Sequence, residues 1–272
     1  MKKTEITFWG VRGSMAAAGP KTAKYGGNTA CVEISCGNTT IICDAGTGIR
    51  PLGHELIKRS KGKKIEAAIL LSHLHLDHVI GLPFFKPIYQ KGNRFVIMNP
   101  GRSASRLKAD LKKLIGAPYF PVNILDVPAS IQFKEFKMKP VRIGPVTIET
   151  FKCNHPDNSF AFKFRFPNGK TLVHISDNEP SNDRHKALVR WISRADILIH
   201  DAQYTPSQYE NKIGWGHSPY IYPVRLAMEA GVKGLVFFHY DPSATDEELD
   251  LISAKVEKSG IVLAREGMTL LV

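Results

Sequence analysis

The chain has 272 residues, 43% of them hydrophobic and 23% charged, which suits a packed globular protein and excludes a disordered one. Its formal net charge is +12 with histidine neutral, so its field favours anionic partners such as phosphate esters, nucleotides and nucleic acid. No apolar run approaches the roughly 18 residues of a membrane span, and MKKTEITFWG lacks the apolar stretch of a signal peptide; we expect no membrane partner and a cytoplasmic protein.

In chain order, the first third reads as β-rich. EITFWG (5–10) is a short strand, and CVEIS and NTTIICD alternate apolar and polar residues on either side of the turn Cys36-Gly37-Asn38, the period-2 pattern of half-buried strands. The long stretch VRGSMAAAGPKTAKYGGNT between the first two is rich in glycine and small residues, as functional loops are. Strands are predicted at 65–71 and 94–98. A helix is predicted at 103–115, with Leu107, Leu111, Leu114 and Ile115 on one face and Arg106, Lys108, Lys112 and Lys113 away from it. Further strands are predicted at 131–136, 146–151, 160–166 and 171–175, the last two joined by the turn pair Asn168-Gly169.

A helix at 183–194 and strands at 197–200 and 235–238 follow. Ser218 can cap a helix running to Ala230 and ending at Gly231, although Pro223 favours a later start or a kink. The box Thr245 with Glu248 opens a helix over 245–259 that Gly260 terminates. Strands at 261–263 and 268–271 close the chain. Strands first, then strands alternating with helices, indicate a layered α/β domain. Cys31, Cys36, Cys43 and Cys153 fit no CxxC spacing and read as free buried thiols; Cys153 is the one close enough to a candidate ligand, His155, to join it.

The stretch SHLHLDHVIG (72–81) sets three histidines and an aspartate within six residues, directly after an apolar run. In an extended segment residues i and i+2 share a face, so His73 and His75 can meet at one point. If the chain then turns into a loop, Asp77 and His78 reach a second point nearby. Two neutral imidazoles suit zinc, and a carboxylate with an imidazole suits a second, harder site. A core does not account for this composition, since each unsatisfied buried polar group costs about 1–3 kcal/mol.

HLHLDH (73–78) resembles the HxHxDH signature of the metallo-β-lactamase superfamily. The other signature positions follow in order: Asp44 in ICDAGTG, His155 in NHPDNSFAFKF, Asp177 in LVHISDNEP and His239 in VFFHYDP. The resemblance covers nearly the whole chain. It implies an α/β fold, the αββα sandwich of two mixed sheets flanked by helices, as a single domain over 1–272 with a metal centre at one edge of the paired sheets. It implies that His73, His75 and His155 bind one divalent metal ion, that Asp77, His78 and His239 bind a second, and that Asp177 bridges them. Asp44 and Asp201 would orient ligands from behind. Two zinc ions are expected, with manganese or iron also compatible with this donor set. Of the remaining histidines, His54 and His185 read as surface or structural residues. His174 and His200, close to the signature positions, are candidates to support ligands.

Two such ions, two carboxylates and a bridging hydroxide leave a formal charge of about +1, which suits an anionic phosphodiester. The ions would lower the pKa of the bridging water and steady charge on the non-bridging oxygens; the leaving alkoxide still needs a proton. GWGHSPYIYPVRLAMEAGVKGLVFFHYDP (214–242) resembles the C-terminal part of the phosphodiesterase branch, including tRNase Z, where a histidine before this helix assists at the scissile phosphate. Carried over, His217 is the general acid, and Asp77 and His217 are the catalytic residues. Gly27, Asn28 and Ser218 are candidate substrate contacts, and Tyr204, Tyr209 and Trp215 are candidates to stack on a base. The chain departs from tRNase Z in lacking a long Gly/Pro-rich arm and in carrying Val173 and His174 where an acidic residue is expected. It departs from the class II cyclic-nucleotide phosphodiesterase signature at Pro83 and Phe84. The resulting expectation is a dinuclear hydrolase of a small anionic phosphodiester such as a cyclic nucleotide, with RNA cleavage or hydrolysis of an ester, thioester or lactone as alternatives. A metal-containing binding module is the alternative of a different class, and a homodimer is the state the resemblance implies.

Overall fold

The computed structural model describes residues 3–137 and 139–272. Strands β1 (Thr4–Gly10), β2 (Cys31–Cys36) and β3 (Thr39–Cys43) form an antiparallel meander. Helix α1 (Ile49–Ser60) comes next, then β4 (Glu66–Leu70), the single turn α2 (Leu76–Val79), β5 (Arg94–Pro100), α3 (Ala104–Leu114) and β6 (Ser130–Phe136). The second half holds β7 (Val141–Ile143), β8 (Val146–Lys152), β9 (Phe160–Arg165), β10 (Thr171–Ile175), α4 (Asn182–Ile192) and β11 (Ile197–Asp201). It ends with α5 (Pro206–Tyr209), α6 (Ile221–Ala230), β12 (Leu235–Phe238), α7 (Asp246–Val256), β13 (Val262–Leu263) and β14 (Thr269–Leu271).

The strands make two seven-stranded mixed sheets, ordered β14-β1-β2-β3-β4-β5-β6 and β13-β12-β11-β10-β9-β8-β7. Their facing surfaces share one apolar layer in which Ile6, Phe8, Ile34 and Leu70 of the first sheet meet Phe162, Phe164, Val173 and Phe238 of the second. A second cluster fills the space between the first sheet and helices α1 and α3, with Leu52, Ile69, Phe95, Leu107 and Leu111. Helices α6 and α7 lie along β11–β13, and α4 packs on α6. This is the αββα sandwich that the resemblance implies.

Three local expectations change. Helix α1 is present where the sequence predicts none. Ser218 does not cap α6: its hydroxyl donates to the Asn178 carbonyl, and the helix starts at Ile221, the later start that Pro223 favours. The chain after His75 winds into α2 rather than a loop, with His75 in extended conformation at its N-cap. No helix among the described residues is long and apolar enough to cross a membrane.

Parallel pairing sets where the chemistry lies. Strands β3–β4–β5 run parallel, as do β10–β11–β12. In open α/β sheets ligands bind outside the carboxyl ends of such strands. Asp44 follows β3, His73 follows β4, Asp177 follows β10, Asp201 ends β11 and His239 follows β12.

His174 in β10 belongs to the core instead. It is buried, and neither ring nitrogen has a hydrogen-bond partner, so it holds no ligand in place. Burial, the largest influence, lowers its pKa to about 4 against about 6.5 unfolded. Between those values the unfolded chain binds a proton that the folded chain refuses, so stability falls as pH drops from 6.5 towards 4, by up to about 3 kcal/mol from this residue. Urea unfolding at pH 7 and pH 4.5 is expected to give a smaller pH difference for His174→Leu than for the wild type. An unchanged difference would contradict a neutral buried imidazole.

Candidate metal centre

Three groups of residues carry the donors. His73, His75 and His155 bring one ligand atom each within 4.8 Å of one another, as do His73, His78 and Asp177, and Asp77, His78 and His239. All seven sequence-predicted ligands are therefore brought together, from both sheets. Cys153 is not among them; burial pushes its thiol pKa up, which disfavours the thiolate a metal needs.

The hydrogen bonds behind the imidazoles fix which nitrogen faces inward. The Ser72 hydroxyl donates to Asp44 Oδ2 (3.0 Å), so it accepts from His73 Nδ1 (3.0 Å). The His73 lone pair is then on Nε2, which is buried and without a partner. His75 Nε2 donates to Asp157 Oδ2 (2.5 Å), leaving Nδ1 as its donor atom. His78 Nδ1 faces Asp44 Oδ2 at 3.0 Å and Ser72 Oγ at 3.4 Å, so its other nitrogen, Nε2, faces inward. His239 Nδ1 donates to Gln203 Oε1 (3.1 Å), and the Gln203 amide is oriented because its Nε2 donates to Ser14 Oγ and Tyr204 Oη. Metal-binding histidines typically have their other nitrogen fixed in this way.

The remaining lone pairs converge. His78 Nε2 and His239 Nε2 lie 3.2 Å apart. Asp77 Oδ2 lies 3.1 and 3.3 Å from them, and Asp177 Oδ1 lies 3.2 and 3.5 Å from them. Asp177 Oδ1 forms no hydrogen bond of good geometry. Two lone pairs and two carboxylates aimed at one point need a proton or a cation between them. His155 Nε2 is likewise buried without a partner and lies 3.8 Å from Asp177 Oδ2. Leaving such groups unsatisfied costs about 1–3 kcal/mol each. The donor set thus fits divalent cations.

Charge follows the same division. Burial, the largest influence, holds His73 well below the ordinary histidine range and lowers His155 to about 4, so both are neutral ligands at pH 7. Burial also opposes the charge on His78, but Asp177, Asp77 and Asp44 together raise it. Around His217 burial again opposes the charge, and Asp201, then Asp177 and Asp77, outweigh it and raise the pKa to about 9.

His217 lies beside the same carboxylates. Its Nδ1 is 3.1 Å from Asp201 Oδ2 and 3.7 Å from Asp177 Oδ2, and its ring stacks on that of His239 at 5.1 Å. Asp201 Oδ2 also accepts the amides of Asn178 and Ser218, and Oδ1 accepts that of Gln203.

Backbone strain marks the same place. Asp44, His239 and Ser14 have positive φ (62°, 63° and 60°), a conformation that costs non-glycine residues of order 1–3 kcal/mol. The Ser14 amide donates to Asp77 Oδ2 (2.8 Å). Gly13 is glycine because a Cβ there would lie 2.4 Å from His239 Nδ1.

Several supports have no signal in the sequence. Asp157 and Gln203 meet their histidines only in the fold. Glu179 is buried and gathers three donors from one loop: the Tyr209 hydroxyl (2.9 Å) and the amides of Gly214 (2.7 Å) and Gly216 (3.0 Å). That loop carries His217.

The expected substrate contacts are placed differently. Both the amide and the side-chain nitrogen of Asn28 donate to Glu266 (2.6 and 2.8 Å), and Gly27 accepts the Ala17 amide, so this turn serves the fold. Ser218 has its amide and hydroxyl committed to Asp201 and Asn178. Of the three aromatics, Tyr204 is buried and Tyr209 is tied to Glu179. Trp215 is 56% exposed, with Lys212 Nζ 4.0 Å from its ring centre.

Comparison with known proteins agrees with this geometry. The sequence family described as beta-lactamase superfamily domain matches residues 39–240, a span that holds every candidate ligand. Ribonuclease Z of Picrophilus torridus is 22% identical over 309 residues, covering 96% of this chain and 94% of that protein. Ribonuclease Z 1 of Schizosaccharomyces pombe is 26% identical over 268 residues, and its match takes in 88% of this chain but only 31% of that longer protein. Among solved structures, the metallo-β-lactamase fold protein YhfI of Bacillus subtilis superposes with a TM-score of 0.75 at 19% identity, covering 99% of this chain and all of that one. Human tRNase Z, short form, gives 0.69 at 18% with 98% of each chain covered. Unliganded yeast PDE1 gives 0.68 at 14% with both chains fully covered. At these identities the structural likeness establishes the fold. The sequence match carries more, since it spans the greater part of the chain and all seven inward-facing side chains: the chain belongs to the β-lactamase superfamily.

Proposed function

We propose that the protein is a metal-dependent hydrolase that cleaves phosphodiesters, using two divalent cations, zinc foremost, with manganese or iron as the other ions this donor set accepts. His73, His75 and His155 would hold one ion, and Asp77, His78 and His239 the other, with Asp177 between them. When bound, the ions supply Lewis acidity and lower the pKa of coordinated water.

The observation that carries the phosphodiester reading is His217. A buried imidazole with a pKa raised to about 9 is protonated at neutral pH, beside the bridging carboxylate. Asp201 holds its Nδ1, which leaves Nε2 to give a proton to a departing alkoxide. Asp77 is held well below the ordinary carboxylate range, burial opposed and outweighed chiefly by His78 and His239. It therefore acts as a fixed anionic ligand and does not shuttle protons. Asp44 and Gln203 keep the imidazoles turned inward. Trp215 supplies an exposed ring on which a nucleobase can stack.

A cyclic nucleotide or an RNA strand satisfies this chemistry. The likeness to ribonuclease Z of Picrophilus torridus over nearly the full length of both chains favours RNA as the second reading. The test is metal-loaded protein assayed on bis-p-nitrophenyl phosphate, cyclic mononucleotides, short RNA, a thioester and a lactone. Turnover of phosphodiesters supports the proposal. Turnover of carbonyl substrates alone overturns it, and a metal-replete protein inert towards all five leaves a binding module.

A further inference from the structure

A cleft of about 430 Å³ lies against the loop that carries His155, and its lining includes Arg102, Arg106, Lys152, Asn158 and Phe160. The cations come from three separate elements: the turn after β5, the first turn of α3 and the end of β8. No acidic side chain lines the cleft. Asp110 accepts from Arg102 Nε and Arg106 Nε (3.2 and 3.1 Å), so one carboxylate orients two guanidiniums and offsets one of three positive charges. Lys152 makes no ion pair among the described residues.

Short links tie this cleft to the metal ligands. The Asn158 amide donates to the His155 carbonyl (3.3 Å), and the Phe160 amide donates to the carbonyl of Ser72, next to His73 (3.2 Å). Between them Asp157 holds His75. The field of Arg102 reaches that carboxylate.

A substrate with a single phosphate would occupy the metal centre and leave these cations with nothing to bind. A concave basic surface within a few residues of the candidate ligands matches what a nucleic-acid backbone needs, cations for its phosphates. We infer that Arg102, Arg106 and Lys152 form a subsite for a phosphate adjoining the scissile one, so that the substrate is an oligonucleotide rather than a mononucleotide. This rests on the phosphodiester reading above and narrows it.

The test uses the metal-loaded full chain and the double variant Arg106→Gln/Lys152→Gln, both positions on the surface. An RNA tetramer and bis-p-nitrophenyl phosphate are the substrates. A phosphorothioate-linked tetramer with a fluorescent label reads binding by anisotropy without relying on turnover. For the variant, kcat/KM on the tetramer is expected to fall roughly tenfold at low salt, and the slope of log affinity against log salt to shrink by about 1–1.5. Turnover of bis-p-nitrophenyl phosphate stays at the wild-type value. Tetramer kinetics and salt slope equal to wild type overturn the subsite, and so does an equal loss on both substrates. Wild-type protein that binds the tetramer with the expected salt slope but hydrolyses no phosphodiester overturns the reaction assignment and leaves the subsite standing.

Discussion

Replacing His217 by Ala is expected to lower kcat on a phosphodiester with an alkoxide leaving group by about 10²–10⁴-fold, with bound metal retained. On a p-nitrophenyl ester the loss is expected to be far smaller, because that leaving group departs without a proton. The contrast follows from how the imidazole is held. Asp201 contacts Nδ1 at 3.1 Å, and three backbone amides pin its carboxylate, so one rigid partner sets the ring orientation and contributes most to holding its charge, ahead of Asp177 and Asp77. Asp201→Asn keeps the shape and removes the charge. It is expected to fall between wild type and His217→Ala on the alkoxide substrate. Measuring kcat on both substrates alongside metal content separates the roles. Full turnover of the alkoxide substrate by His217→Ala would remove the general acid. Loss of metal would instead make His217 a ligand, a role its place near His155 and Asp177 allows.

The candidate ligands were legible in the sequence because their chemistry is local and costly to bury without purpose. His73, His75, Asp77 and His78 lie within six residues, and His155, Asp177 and His239 each stand just before or after a strand whose apolar pattern is clear. What holds them was not legible. Gln203 meets His239 across 36 residues and Asp157 meets His75 across 82, and neither pairing leaves a pattern in the chain. Helix α1 was hidden by Pro51 and Gly53, both poor helix formers. Pro51 falls in the first turn, where its missing N–H would have had no intrahelical partner. Gly53 faces Phe85 and Pro87, and a Cβ there would lie 2.9 Å from each. Packing between elements decided that residue, and local propensity carries no trace of it. Strand β7, only three residues long, is too short to show a period. The residue types of Asn28 and Ser218 fit both a ligand contact and an internal bond, and only the fold reveals Glu266 and Asp201 as their partners.

The second large effect is expected at Gly216, a residue with no reactive group. Its φ is +91°, a conformation that other residues rarely adopt. A Cβ there would lie 2.3 Å from His155 Cδ2, 2.8 Å from Pro156 Cδ and 2.9 Å from His155 Nε2. The obstacle is a buried ring beside a proline, which cannot swing away as a flexible tip would. Gly216→Ala must therefore move either the His155 ring, a proposed ligand, or the loop that carries His217. We expect at least about 10–100-fold loss of metal affinity, read as metal retained per chain after dialysis against a weak chelator, with turnover falling in parallel. Glu179→Ala separates the two displacements. It leaves three donors of the same loop without their acceptor but adds no atom against His155, so it is expected to keep its metal and to lose turnover chiefly on the alkoxide substrate. If Gly216→Ala retained wild-type metal and turnover, the close approach of this loop to His155 would be no constraint on the site. If Glu179→Ala lost metal as readily as Gly216→Ala, the loop would serve the ligands directly and the role of Glu179 in placing His217 would fall.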